Sequence, residues 1–242
     1  IGGQAGIIAK QLDHLGADSI VYTPLLSEEQ AKMFSEGVRT PIVEDDLGLA
    51  PIREAYRPGD ALKVNWVLEY EKEMKFQFAG ETIETPRANR LIISTRPRGL
   101  VMEFGDWLSD HLPALGEHVD ASFLAGYHYA KHTMPDGRSF DRYMQDTIRD
   151  LILFKRRNPL MRIHYEHVPM KTPELQTAML SHIMHEITSF GINEAEIYEV
   201  LEAYRAKEYS DLIRNRESAY SLYRGCLALL RRFGLMRLQL HN

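Results

Sequence analysis

From Arg90 onward, short apolar runs of strand length alternate with amphipathic stretches of helical length, and that alternation restricts the fold more than any other property of the chain. Strands separated by whole helices are joined by crossovers, so neighbouring strands run parallel in one sheet. The pattern predicts strands at 91–94, 121–124, 161–166 and 187–191, with 91–94 reading as a buried core strand. It predicts helices over 104–111, 140–155, 173–186, 193–208 and 211–233. The expected fold class is α/β, a doubly wound, mostly parallel sheet with helices on both faces.

Residues 37–89 have a different texture. Short β-rich runs at 40–43, 62–69, 75–78 and 82–84 are separated by turn signals at Asp45-Asp46, Pro58-Gly59-Asp60 and Ala79-Gly80-Glu81, with no helix-length period between them. This predicts a small β-sheet domain inserted into a larger one made of residues 1–36 and 90–242. At the N-terminus, Gly2-Gly3-Gln4-Ala5-Gly6 reads as a turn too rich in glycine for a helix interior. Ile7, Ile8, Leu12 and Leu15 then form an apolar helical stripe that Gly16 closes.

Composition excludes some function classes. A chain of 242 residues can bury a full core, and its net charge of −5 provides no basic field for nucleic acid. Cys226 is alone, so neither a disulfide framework nor a cysteine metal site is available, and a reducing cytoplasm fits. No apolar run reaches the length of a membrane helix. The chain opens on a glycine-rich turn at Ile1 and closes on an alternating apolar run, which predicts that both ends are cuts.

Four groups of residues could carry chemistry. A glycine-rich turn feeding a helix offers backbone amides to a ligand, or simply packs a strand against a helix; Gly2, Gly3 and Gln4 lie there. His164 and Glu166 fall on one side of the 161–166 strand, at the C-terminal end where ligands bind in open parallel sheets. They suit either a hydrated Mg²⁺ or a plain His–Glu pair. Asn193, Glu194 and Glu196 follow the next strand. Asn193 and Glu196 fit a helix capping box, yet three carboxylates at neighbouring strand ends would repel without a cation or water to relieve them. Lys63, on a strand of the insert, and Arg96, after the 91–94 strand, lie near the junction of sheet and insert and suit phosphate contacts, or are solvated surface charges.

Taken in order, several segments resemble the ADP-dependent sugar kinase family, the ADP-dependent glucokinases and phosphofructokinases. They are Ile1-Gly2-Gly3-Gln4-Ala5-Gly6-Ile7-Ile8-Ala9, Ala55-Tyr56-Arg57-Pro58-Gly59-Asp60, Ala125-Gly126-Tyr127, Ile163-His164-Tyr165-Glu166, Gly191-Ile192-Asn193-Glu194-Ala195-Glu196 and Leu238-Gln239-Leu240-His241. The resemblance implies a ribokinase-like large domain with a β-rich lid, the insert at 37–89. It implies that Gly2, Gly3 and Gln4 contact the sugar. His164, Glu166, Asn193 and Glu196 would match H-x-E and N-x-x-E motifs tied to Mg²⁺, with Glu194 beside them. Arg96 would contact phosphate, and Lys63 would stand where phosphofructokinase-type members bind the phosphate of fructose 6-phosphate.

The implied reaction transfers the β-phosphoryl of ADP to fructose 6-phosphate or glucose, a glycolytic step. The family's catalytic aspartate sits in a G-x-G-D motif that is absent from this sequence, as is an N-x-N-x-D-like sugar-binding motif. The chain alone is therefore expected not to turn over. His167-Val168-Pro169 departs from the family pattern just after the H-x-E pair. The alternatives are an ATP-dependent ribokinase-type sugar kinase and a non-catalytic relative that binds sugar or nucleotide.

Overall fold

The computed structural model describes residues 4–95, 97 and 99–241, with Gln4 described by its backbone alone. Ten strands are present among them: β1 (Arg39–Val43), β2 (Leu47–Pro51), β3 (Asn65–Tyr70), β4 (Lys75–Phe78), β5 (Glu81–Glu84), β6 (Asn89–Ser94), β7 (Ala121–Leu124), β8 (Arg162–Glu166), β9 (Ser189–Asn193) and β10 (Arg237–His241). The α-helices are α1 (Gln4–His14), α2 (Glu28–Lys32), α3 (Asp106–Ser109), α4 (Leu112–Glu117), α5 (Phe140–Lys155), α6 (Pro173–Ile183), α7 (Glu194–Ala203), α8 (Lys207–Asn215) and α9 (Ala219–Phe233).

The centre is a four-stranded parallel sheet in the order β10-β9-β8-β7. Helices separate every pair of consecutive strands, as the alternation predicts for a parallel α/β domain. In β9, Ser189 to Ile192 are all buried, as befits a strand enclosed on both faces, whereas β8 alternates and buries Ile163 and Tyr165. Side-chain caps start the long helices: Ser139 Oγ accepts from Arg142 N, Thr172 Oγ1 from Leu175 N, and Ser218 Oγ from Ser221 N. Gly234 ends α9 at φ 63°, a conformation that costs glycine little. The main core packs Tyr143, Met144, Leu151 and Phe154 of α5 against Ile163, Tyr165, Phe190 and Ile192 of the sheet.

A smaller core gathers Ala9, Leu26, Ala31, Phe34, Val38 and Ile52. The Arg57-Pro58-Gly59-Asp60 segment braces it. Arg57 Nη2 donates to the carbonyls of Thr23 (3.2 Å) and Pro24 (2.8 Å), while its Nε donates to Asp60 Oδ2 (2.9 Å). The same Asp60 oxygen accepts from Leu26 N at 2.6 Å, and Gly59 makes the turn at φ 93°. β1 and β2 form an antiparallel hairpin whose Val43, Leu47 and Leu49 pack on the main core.

The expectation of a buried core strand at 91–94 is corrected. β6 is exposed along its whole length and pairs antiparallel with β3 in a two-stranded ribbon, with the β4–β5 hairpin between them in the chain. The apolar residues meet across it in register, Trp66 with Ile93, Val67 with Ile92 and Leu68 with Leu91, and Trp66 remains 52% exposed. The run looks like a core strand because both its faces are apolar.

Helix boundaries also differ from expectation. The 104–111 stretch holds only the short α3, with α4 starting beyond it at Leu112, and α1 includes Gly6. The 193–208 and 211–233 pair becomes three helices, interrupted at Arg205 with φ 55° and restarted by the Ser218 cap.

Candidate active site

The C-terminal ends of the parallel strands bring His164, Glu166, Asn193, Glu194 and Glu196 to one edge. His164 and Glu166 alternate with buried Ile163 and Tyr165, so the pleat turns both polar side chains away from the main core. Glu166 Oε2 lies 3.1 Å from His164 Nε2, and His164 Nδ1 lies 2.8 Å from Ser189 Oγ. The other oxygen of Glu166, Oε1, lies 2.5 Å from His241 Nε2.

That last contact crosses a strand. β9 lies between β8 and β10, with Gly191 opposite Glu166. A methyl group at Gly191 would overlap Glu166 Oε2 and would stand 2.8 Å from Glu166 Cδ and 3.0 Å from His164 Nε2. The missing side chain is therefore what lets Glu166 reach across β9 to His241. A carboxylate can only accept hydrogen bonds, so both histidines present Nε2–H to it.

Asn193 caps α7. Its Oδ1 accepts from Glu196 N at 2.9 Å, and Glu196 Oε2 accepts from Asn193 N at 3.0 Å, which completes the capping box. The structural alternative weighed for these residues is thus present, and it leaves Glu196 Oε1 outside the box. Glu196 is only 7% exposed. Burial holds its carboxyl above the ordinary value; the Asn193 amide works against this, and the negative charge of Glu166 adds to it. Glu194 is half-buried on the first turn of the same helix.

Among the described residues, no three His, Cys, Asp or Glu side chains gather closely enough to ligate one ion. Direct multidentate capture by side chains does not fit this edge. A hydrated Mg²⁺ does fit it, because Mg²⁺ keeps several waters and needs only one or two carboxylates besides phosphate oxygens. The buried Glu196, strained by a neighbouring negative charge, is the kind of group such a cation relieves.

Next to Glu166, His167 is 2% exposed and neither ring nitrogen has a hydrogen-bond partner. It packs edge-on to Tyr165 (centroids 6.1 Å apart) and against Phe190 (5.8 Å). Burial lowers its pKa to about 4, with Glu166 opposing the shift and His128 adding to it. His128 and Tyr129 belong to a turn that begins at Gly126, in the left-handed region at φ 106°.

Lys63 Nζ lies 2.5 Å from Tyr129 Oη and 4.3 Å from the ring centroid. Gly2, Gly3, Arg96 and the Gln4 side chain lie outside the described residues. The roles of Gly191, Ser189 and His241 at this edge are not legible from spacing. Each depends on which strands are neighbours and in what register, and a lone sequence does not state that.

Comparison with known proteins supplies the family context. Residues 1–242 match the model described as "ADP-specific Phosphofructokinase/Glucokinase conserved region". The chain is 35% identical over 249 residues to an ADP-specific phosphofructokinase of Methanosarcina acetivorans, covering all of this chain and 50% of that protein. It is 33% identical over 245 residues to the enzyme of the same name from Pyrococcus horikoshii, covering all of this chain and 54% of that one. The chain thus spans about half the length of the curated relatives it matches.

Among solved structures, a Pyrococcus horikoshii phosphofructokinase with AMP superposes with a TM-score of 0.83 at 34% identity, over all of this chain and 54% of that one. An ADP-dependent kinase in complex with fructose-6-phosphate and ADPbetaS superposes with a TM-score of 0.88 at 34% identity, over 99% of this chain and 53% of that one.

Proposed function

Because the chain belongs to the ADP-specific phosphofructokinase/glucokinase family, we propose that the protein carrying it transfers the β-phosphoryl group of ADP to fructose 6-phosphate or glucose and releases AMP, a glycolytic step in the cytoplasm. The observation that carries this reading is the placement of Glu166 at the end of β8 and Glu196 on the first turn of α7, the helix that follows the neighbouring strand β9, at the edge where parallel sheets bind ligands.

In this reaction a sugar hydroxyl oxygen bonds to the β-phosphorus while the bond from that phosphorus to the α–β bridging oxygen breaks. The electron pair leaves with AMP, and the hydroxyl proton passes to a base. Such transfers gain most of their rate from positioning and from stabilising charge on the phosphoryl oxygens. Bound Mg²⁺ would supply Lewis-acid neutralisation of those oxygens.

The chain's own residues divide the remaining work in this reading. Glu166 and Glu196, with His164, Asn193 and Glu194 around them, hold the metal's water shell. Gly2, Gly3 and Gln4 contact the sugar, and Arg96 contacts phosphate. Lys63, at the foot of the β3–β6 ribbon, binds the sugar phosphate and favours fructose 6-phosphate over glucose. The lid that excludes water is narrower than the expected 37–89: it is the β3–β6 ribbon with the β4–β5 hairpin, because β1 and β2 pack Val43, Leu47 and Leu49 on the main core. The base is assigned to the aspartate of a G-x-G-D motif, which does not occur in these residues.

The test is a donor and acceptor panel on the complete protein, with and without Lys63→Ala. AMP formation from ADP with fructose 6-phosphate is expected. Lys63→Ala should raise the KM for fructose 6-phosphate about tenfold or more and leave the KM for glucose in place. ADP formation from ATP in preference to AMP from ADP would overturn the donor assignment. Turnover by the 242-residue chain alone would overturn the assignment of the base.

A further inference from the structure

The carboxylate of Glu166 is held from both sides, and only one of its holders belongs to the H-x-E pair. His164 approaches Oε2 at 3.1 Å from the same strand. His241 approaches Oε1 at 2.5 Å from β10, two strands away, through the space that Gly191 leaves open. We propose that His241 is a positioning residue, which fixes the direction in which Glu166 presents its carboxylate to a divalent cation. This rests on the metal role given to Glu166 in the proposed function, and adds to it a residue from a different strand.

Three observations support the assignment. A glutamate on a strand end has three rotatable side-chain bonds, so one hydrogen bond to a neighbour on its own strand leaves it room to swing. A second bond on the opposite oxygen, from the far side of β9, removes that freedom. The reach is built into the sheet rather than incidental, because any side chain at Gly191 would occupy the path. The two histidines also differ in support. His164 is backed by Ser189 Oγ at 2.8 Å, whereas His241 is set by β10 itself, whose register aligns it with Asn193, the cap of the helix that carries Glu196. One strand end thus sets His241 against Glu166 and opposite the residue that caps the helix carrying Glu196. Residues that orient a metal's carboxylate typically change metal affinity by about 10- to 100-fold when removed.

The experiment uses the full-length protein and Mn²⁺ as the probe. Bound Mn²⁺ is counted by electron paramagnetic resonance with and without ADP, beside thermal melting. His241→Ala is expected to weaken Mn²⁺ binding about tenfold or more without a matching loss of melting temperature. His241→Gln, whose amide nitrogen can reach the place of Nε2, is expected to recover most of the affinity. Steady-state kinetics should show the metal requirement rising while the KM for the sugar stays in place.

Unchanged Mn²⁺ affinity in His241→Ala would overturn the proposal. So would equal loss of stability and affinity in both variants, which would make His241 a packing residue. Wild-type protein that binds no Mn²⁺ in the presence of ADP would overturn the metal reading itself, and this proposal with it, and that outcome is separable from the comparison of variants.

Discussion

Gly191 and Glu166 face each other across β8 and β9, and the absence of a side chain at Gly191 makes room for the carboxylate of Glu166. Gly191→Ala is therefore expected to push that carboxylate aside and break its bonds to His164 and His241. Because the displaced atoms are the end of a flexible chain, the melting temperature should change little while Mn²⁺ affinity falls about tenfold. Gly116→Ala is the contrasting case. A methyl group there meets the backbone carbonyl of Phe154, which cannot swing away, so a loss of about 1–3 kcal/mol is expected in chemical denaturation.

Glu196→Gln separates the structural role of that residue from its electrostatic one. The amide oxygen can still accept from Asn193 N, so the capping box survives. The folded-state pKa of Glu196 is raised, chiefly by burial. As pH rises through the window between its ordinary and raised values, the unfolded chain releases a proton that the folded one keeps, and stability falls. Above that window the penalty is complete. Glu196→Gln should remove it, so the metal-free variant at neutral pH is expected to melt at or above the wild-type temperature. Its kcat/KM in the complete protein should nevertheless drop about 100-fold.

For His167 the sign is opposite. Its folded pKa of about 4 lies below the ordinary 6.5. Between those values the unfolded chain takes up a proton that the buried ring refuses, so stability present above pH 6.5 is lost as pH falls towards 4. The full effect is roughly 3 kcal/mol. His167→Phe keeps a ring between Tyr165 and Phe190 and removes two unpartnered nitrogens. Urea denaturation from pH 7 to pH 4 should show a shallower decline in the variant, and an identical slope would refute the assignment.

Arg57 tests the brace of the smaller core. Arg57→Ala removes donors to the carbonyls of Thr23 and Pro24 and leaves Asp60 with Leu26 N as its remaining partner in the segment. A loss of about 1–3 kcal/mol is expected, with faster hydrogen exchange at Leu26 and Ile52 than at Phe190.

The parallel sheet was legible because period and length carry it. The expected 121–124 strand and 140–155 helix coincide with the observed β7 and α5. The carboxylates were legible as a concentration of charge after two successive strands. β6 was misplaced because Leu91-Ile92-Ile93 has the apolar texture of a core strand, and texture does not say which strand is its partner. Register and strand neighbours escape a single sequence in the same way, so the path from Glu166 over Gly191 to His241 could not be read from it. The capping box at Asn193 was predicted from spacing and is present alongside the charge cluster.

The tie from Ser189 through His164 and Glu166 to His241 links three neighbouring strands, crossing β9 on the diagonal. Backbone hydrogen bonds already bind these strands side by side, but a cross-brace at their ends also opposes sliding along their axes. Closure movements in two-domain proteins use hinges or small sliding displacements of packed elements. If residues of the insert close as proposed, this edge, braced against sliding, leaves the movement to the chain on either side of the β3–β6 ribbon. On the proposed reading the sheet end would be the anvil, and the ribbon the part that comes down on it.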